Sequence, residues 1–202
     1  MKLVAVTNGR VEAGAWSRVK EIEPLVDSII LREPHMGDAD YQAMVEKLIA
    51  SGADRDKLCI HSRVEIACKT GVPNLHLKEK GSGVKSVKQA HPFLKVGISV
   101  HSLQAARQAE AEGADYVMFG HVYATNSKKG LEPRGIDELK YITSSIDIPV
   151  IAIGGITPDK LQELQGISAA GIAVMSGIFG DAHPLQAVKR YVKELTIHER
   201  SL

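Results

Sequence analysis

The sequence predicts an α/β fold, a single-domain (β/α)₈ TIM barrel over residues 1–202, and three observations point there. Short apolar runs alternate with amphipathic stretches from end to end; there are eight such runs; and no linker or shift of composition divides them. Several runs are apolar without alternation, the pattern of strands covered on both faces in a parallel sheet. A barrel of this kind usually takes about 250 residues and rarely fewer than about 200. A chain of 202 residues therefore leaves room for short loops and almost no insertions. A doubly wound sheet is the alternative, although it normally uses about five to seven strands.

The runs are, in order, Leu3–Val6, Ser28–Leu31, Lys57–Ile60, Asn74–Leu77, Val96–Val100, Tyr116–Phe119, Val150–Ile153 and Ile172–Met175. After the second comes a helical pattern at Tyr41–Ala50, with Met44, Val45, Leu48 and Ile49 on its apolar side and Gly52 as its stop. After the fourth, KEKGSGVKSVKQ reads as a polar, mobile loop before a short helix and makes this the weakest unit. The clearest helix follows the fifth run at Ser102–Glu112, where Leu103, Ala106 and Ala109 share one face. Ser102 suits its N-cap and Gly113 the position just past its end. After the eighth, Pro184–Leu195 opens on proline at a first turn and presents Leu185, Val188, Val192 and Leu195 as a stripe.

With 25 basic and 24 acidic residues, the net charge of +1 provides no broad field for nucleic acid or a membrane surface. No stretch reaches the roughly 18 apolar residues of a membrane span, and MKLVAVTNGR does not read as a secretory leader. Cys59 and Cys68 fit neither a CxxC pair nor a zinc knuckle, so they are expected to be reduced core thiols. The expectation is a soluble cytoplasmic protein.

Chemistry concentrates at the ends of the last two strands, where barrels of this kind commonly bind phosphate. The seventh strand ends VIAIGGIT, which places Gly154 and Gly155 in the turn before a helix opening at Thr157–Pro158–Asp159. The eighth ends AVMSGIF, with Met175, Ser176 and Gly177 before a short helical turn. Glycine lets backbone N–H groups approach phosphate oxygens with no Cβ in the way, a helix start adds free donors, and Ser176 adds a hydroxyl. Gly154–Gly155 alone reads equally well as a tight turn; the two motifs together favour a phosphate grip.

The run SVHSLQAARQAEAEGADYVMFGHVYATNSKKG, followed by IPVIAIGGIT and GIAVMSGIF, resembles the thiamine phosphate synthase superfamily, and most of all its thiazole tautomerase branch, TenI. The similarity runs from KLVAVT to GIAVMSGIF and is most specific in the second half. It implies a (β/α)₈ fold, a homodimer, and a ligand with a thiazole ring on a phosphoethyl arm.

The departures are informative. Where synthases carry QLREK, this chain has ILREP, keeping Arg32 and Glu33; where they carry NDR, it has HSR, with Ser62 at the metal aspartate's place. After strand four HLGQED becomes HLKEKGSG, without the second aspartate. Mg²⁺ needs hard carboxylate oxygens, and a pyrophosphate leaving group needs that metal. The coupling of a pyrimidine pyrophosphate is therefore expected to fail, while the phosphate grip survives.

After strand six the synthase GPV becomes GHV, which puts His121 at a strand's C-terminal end. An imidazole offers both protonation states near neutrality. The resemblance implies that it catalyses a proton shift aromatising a carboxylated thiazole phosphate, with no metal or organic cofactor. His61 and His76 are secondary rim candidates; His101 lies in SVHS, a pattern synthases share; His35, His91, His183 and His198 read as loop or outer-helix residues. By the same resemblance, Ser99 faces the ring or its carboxylate, and Thr125, Asn126 and Ser127 match the segment facing the thiazole phosphate. Lys128 is either a carboxylate partner or a solvated lysine, and Arg32 either a carboxylate partner or an ion pair with Glu33. Three functions stay open: the tautomerase, a non-catalytic thiazole-phosphate-binding regulator, and residual synthase activity.

Overall fold

The computed structural model describes residues 1–10, 16–81 and 83–199, so Ser82, within the segment expected to be a mobile loop, lies outside the described residues. Eight parallel strands close on themselves in chain order: β1 (Lys2–Val6), β2 (Ser28–Leu31), β3 (Leu58–His61), β4 (Asn74–Leu77), β5 (Lys95–Val100), β6 (Tyr116–Gly120), β7 (Val150–Ile153) and β8 (Gly171–Val174). The seam is β8 against β1, registered from Lys2↔Gly171 to Ala5↔Val174. The barrel is thus the (β/α)₈ form, and the doubly wound alternative falls away.

The outer ring comprises α1 (Trp16–Ile22), α2 (Asp38–Ala50), α3 (Val64–Thr70), α4 (Val84–Ala90), α5 (Leu103–Ala111), α6 (Gly135–Thr143), α7 (Ser176–Phe179) and α8 (Pro184–Glu199), with 3₁₀ turns at Glu23–Leu25, Asn126–Lys128 and Pro158–Leu164. No helix of the described residues is long and apolar enough to cross a membrane.

The lack of alternation in the runs has a direct cause. Successive strand residues point to opposite faces, and here both faces are apolar. Val4, Val6, Ile30, Cys59, Met118, Ile151 and Ala173 fill the barrel interior. Their strand neighbours Leu3, Ala5, Ile29, Leu31, Leu58, Ile60, Val117, Phe119, Ala152 and Ile172 belong to the larger core that includes the helices. Cys59 is a buried free thiol, whereas Cys68, on the outer helix α3, is only half buried, with its Sγ 3.4 Å from His91 Nδ1.

The helix signals act as read. Ser102 Oγ accepts from the Ala105 N–H at 3.2 Å, and Gly113 ends α5 at φ +87°. Several strand ends shift by a residue, and other details differ. α2 begins one turn before Tyr41, where Asp38 and Asp40 suit the positive helix start. Met175 leaves β8, because its backbone at φ −106°, ψ −77° has turned out of the extended region to cap α7. The helix after β7 opens at Pro158 but winds as a 3₁₀ turn. On α8 the buried stripe centres on Pro184, Ala187, Val188 and Tyr191 rather than on the flanking leucines, because the Tyr191 ring inserts and its hydroxyl donates to the Ile156 carbonyl at 2.9 Å.

Candidate active site

The C-terminal strand ends surround a cavity of about 380 Å³, within the range of about 300–1,000 Å³ usual for small-molecule sites. Its floor is apolar, made by the inward residues Val6, Ile30, Met118, Ile153 and Ala173.

On the β7–β8 side, Gly154, Gly155, Ile156, Thr157, Met175, Ser176 and Gly177 line the wall. Gly154 and Gly155 adopt φ +107° and +64°, where a side chain is strained. They are also pinned by their neighbours. A Cβ on Gly154 would come within 2.5 Å of His121 Cα, and one on Gly155 within 2.8 Å of Tyr123 Cβ. The glycine pair therefore does a task the sequence did not disclose: it lets the segment carrying His121 lie against the end of β7. Backbone bonds strap that segment down, Val122 N–H to Ile153 O and Tyr123 N–H to Gly154 O, both 2.9 Å. A Cβ on Gly177 would overlap the Tyr191 hydroxyl. Since that hydroxyl also binds Ile156 O, Tyr191 ties the two halves of the corner together.

His121 is only 7% exposed and lines the cavity beside this corner. Its Nε2 lies 3.3 Å from the Leu131 carbonyl. A carbonyl only accepts, so Nε2 is the donor in this contact, and in the neutral form of the ring the lone pair lies on Nδ1. The His121 carbonyl accepts from Arg134 N–H at 2.9 Å, which anchors the residue to the start of α6.

In a closed eight-stranded barrel β3 stands opposite β7, and the wall formed by β2 to β5 carries a different chemistry. Arg32, His61, His76, Lys78, Glu79, Ser99 and His101 line it. Burial, reinforced by the charges of Arg32, Lys78 and Arg63, lowers the His61 pKa to about 4. Burial lowers His76 to about 3. His76 is neutral and fully engaged: Nδ1 is 2.9 Å from the Tyr116 hydroxyl and Nε2 is 2.9 Å from Ser99 Oγ. It is the support that orients Ser99. Glu79 receives His101 twice, from ring Nδ1 at 2.9 Å and from the backbone N–H at 3.1 Å.

Of the site residues expected from sequence, Arg32, Ser99, His121, Thr125, Ser127, Lys128, Gly154, Gly155, Met175, Ser176 and Gly177 come together around this one cavity. Asn126 is exposed and lies off the lining. It opens a 3₁₀ turn, in which successive side chains diverge by about 120°, so Ser127 and Lys128 reach the cavity and Asn126 does not. Lys78, Glu79, His101 and Thr157 were missed as site residues. Lys78 and His101 directly follow β4 and β5, Glu79 comes one residue later, and Thr157 lies four residues past β7; a place in the loop after a strand's C-terminal end was the available signal. His35 and His183 are exposed, and the side chain of His198 lies outside the described residues.

The Mg²⁺ that the resemblance implies for synthases does not fit these donors. Glu79 is the carboxylate of the lining residues, and both its oxygens hold His101. Among the described residues no group of three or more His, Cys, Asp and Glu side chains is arranged to hold a metal.

Known proteins agree with this picture of the barrel. A thiamine-phosphate synthase of Clostridium tetani is 32% identical over 168 residues, covering 82% of this chain and 78% of that protein. A putative thiamine-phosphate synthase of Aquifex aeolicus is 33% identical over 152 residues, 75% of this chain and 82% of the relative. Among solved structures, a thiamine phosphate pyrophosphorylase from Pyrococcus furiosus superposes with a TM-score of 0.85 at 27% identity, covering 97% and 96% of the two chains. A 3-hexulose-6-phosphate synthase, at 18% identity and a TM-score of 0.74, shares the fold alone. The family model described as thiamine monophosphate synthase matches residues 3–178, from the first strand through the short helix after the last, and the chain belongs to that family.

Proposed function

We propose that the protein is a thiazole tautomerase of thiamine biosynthesis, aromatising a carboxylated thiazole phosphate by a proton shift. The observation that carries this reading is the state of His121. It is buried in the cavity wall against the Gly154–Gly155 turn, with Nε2 committed to a main-chain carbonyl, so that Nδ1 is the nitrogen the neutral ring offers as base. The charge layout supports the same ligand. Gly154–Gly155 and Ser176–Gly177 offer donors to its phosphate, and the cations Arg32, Lys78 and Lys128 of the same lining are available to its carboxylate. Cations beside the carboxylate offset the charge that opposes removing a proton from the adjoining carbon.

In the substrate the ring carbon that bears the carboxylate also bears a hydrogen, and an exocyclic double bond leads to the phosphoethyl arm. Nδ1 of His121 removes the hydrogen, and a proton is returned to the exocyclic carbon. The minimal scheme uses one imidazole as base and then as acid, a contribution of roughly 10²–10⁴-fold. The test is turnover of the non-aromatic substrate, followed by the ultraviolet absorbance of the aromatic product. His121→Ala should lower kcat by about 10²-fold or more while the aromatic product still binds. Unchanged turnover would remove His121 from the reaction.

The names of the relatives favour a second reading, thiamine-phosphate synthesis. Against it stands a lining whose one carboxylate is already bonded to His101. Heat of binding from Mg²⁺ with a pyrimidine pyrophosphate would support that reading, and its absence would end it.

A further inference from the structure

We infer that Glu79 and His101 form a second acid–base unit, with His101 as the acid that completes the proton shift begun by His121 and Glu79 as its positioning residue. The inference rests on the tautomerase reading above and changes who performs the second transfer.

Three observations carry it. Glu79 holds His101 by two contacts at once, Oε2 on ring Nδ1 at 2.9 Å and Oε1 on the backbone N–H at 3.1 Å. Two bonds from one carboxylate fix the ring's orientation and not merely its position, and they leave Nε2 as the nitrogen that Glu79 does not use. Protonated His101 forms an ion pair with Glu79, and its Nε2–H is then the bond left to give. Second, the location is right. His101 follows Val100 on β5, and Val100 pairs with Phe119 on β6, two residues before His121, so the two imidazoles leave adjacent strands at the same rim and line the same cavity. Third, the side chains of His101 and Glu79 are 31% and 33% exposed, which lets the acid recover its proton from water between turnovers. His76 has no such freedom, because both its nitrogens are already bonded inside the barrel.

The proton balance is simple. His121 Nδ1 takes the ring hydrogen, and the C–H electron pair becomes a ring C=N bond. The former C=N pair moves into the ring C=C bond, and the exocyclic π pair takes the proton from His101 Nε2. One histidine ends protonated and the other neutral, and exchange with solvent restores both. A single flexible imidazole would have to reach both carbons; two fixed ones divide the distance.

The test follows two signals from the non-aromatic substrate in D₂O: exchange of the ring-carbon hydrogen in recovered substrate by NMR, and aromatic product by absorbance. For His101→Gln, product formation should fall about 10²-fold while ring-carbon exchange stays within about threefold of wild type. Glu79→Gln should show the same split at roughly a tenfold loss of product, and His121→Gln should lose both signals. Wild-type product formation by His101→Gln, or equal loss of exchange and product, overturns the inference. If the wild-type protein neither exchanges nor aromatises the substrate, the tautomerase reading itself fails, and this inference fails with it.

Discussion

Replacing Gly154 by alanine should disable the site through geometry alone. The added Cβ would meet His121 Cα at 2.5 Å, whereas carbon atoms rest at about 3.5–4.0 Å. The segment carrying His121 must therefore retreat by about 1 Å, and a misplacement of that size costs about 10²-fold in rate. Alanine at φ +107° adds backbone strain of about 1–3 kcal/mol. At about 2–4 °C per kcal/mol for a chain of this size, Tm should fall by roughly 2–12 °C. Gly71 separates the two effects. It ends α3 at φ +67° with nothing within 4 Å of a Cβ, so Gly71→Ala bears strain without displacement. Calorimetry reads Tm, and the absorbance of the aromatic product reads kcat. Both variants should melt earlier, and Gly154→Ala alone should lose activity. If Gly154→Ala keeps kcat within threefold of wild type, the claim that this glycine positions His121 is refuted.

Two further outcomes follow from the buried polar groups. His61 and His76 are held neutral, near pKa values of about 4 and 3, while the unfolded chain titrates near about 6.5. The depressed folded values mean that full stability is present above about pH 6.5 and is lost as pH falls toward about 4, because the unfolded state takes up protons that the folded state refuses. Between pH 7 and 5 the loss should be about 2 kcal/mol for each histidine. Urea unfolding of His76→Gln should therefore show a pH-dependent loss smaller by about 2 kcal/mol, and equal losses in variant and wild type would contradict the assignment. Tyr191→Phe should leave the Ile156 carbonyl without its 2.9 Å partner, a loss of about 1–3 kcal/mol in urea unfolding; no loss would mean that the bond does not brace the corner.

Much of the barrel was legible because its physics is local. Each strand advertises itself as a short apolar run, since both faces are covered, and Ser102 and Gly113 bracket α5 because side-chain oxygen and positive φ solve the same end problem in most helices. The glycines of the corner were legible as a special turn, but not their second partner. That Gly154 makes room for His121 depends on two segments 33 positions apart meeting across β6 and β7, and no local pattern encodes this. The same limit explains Glu79 and His101, separated by 22 residues and joined only because β4 and β5 are neighbours. Gly97 is another case: a Cβ there would lie within 2.5 Å of the Tyr116 ring, so its reason is the partner strand. Asn126 was grouped with Thr125 and Ser127 by the resemblance, and only those two of the three line the cavity.

The central claim is that this barrel moves a proton on a thiazole phosphate. Incubation of the wild-type protein with the non-aromatic carboxylated thiazole phosphate, in D₂O containing a metal chelator, tests it most directly. The account predicts aromatic product formed faster than in buffer alone, carrying solvent deuterium on the methylene carbon attached to the ring. Binding of the substrate with no aromatisation above the buffer rate would contradict it.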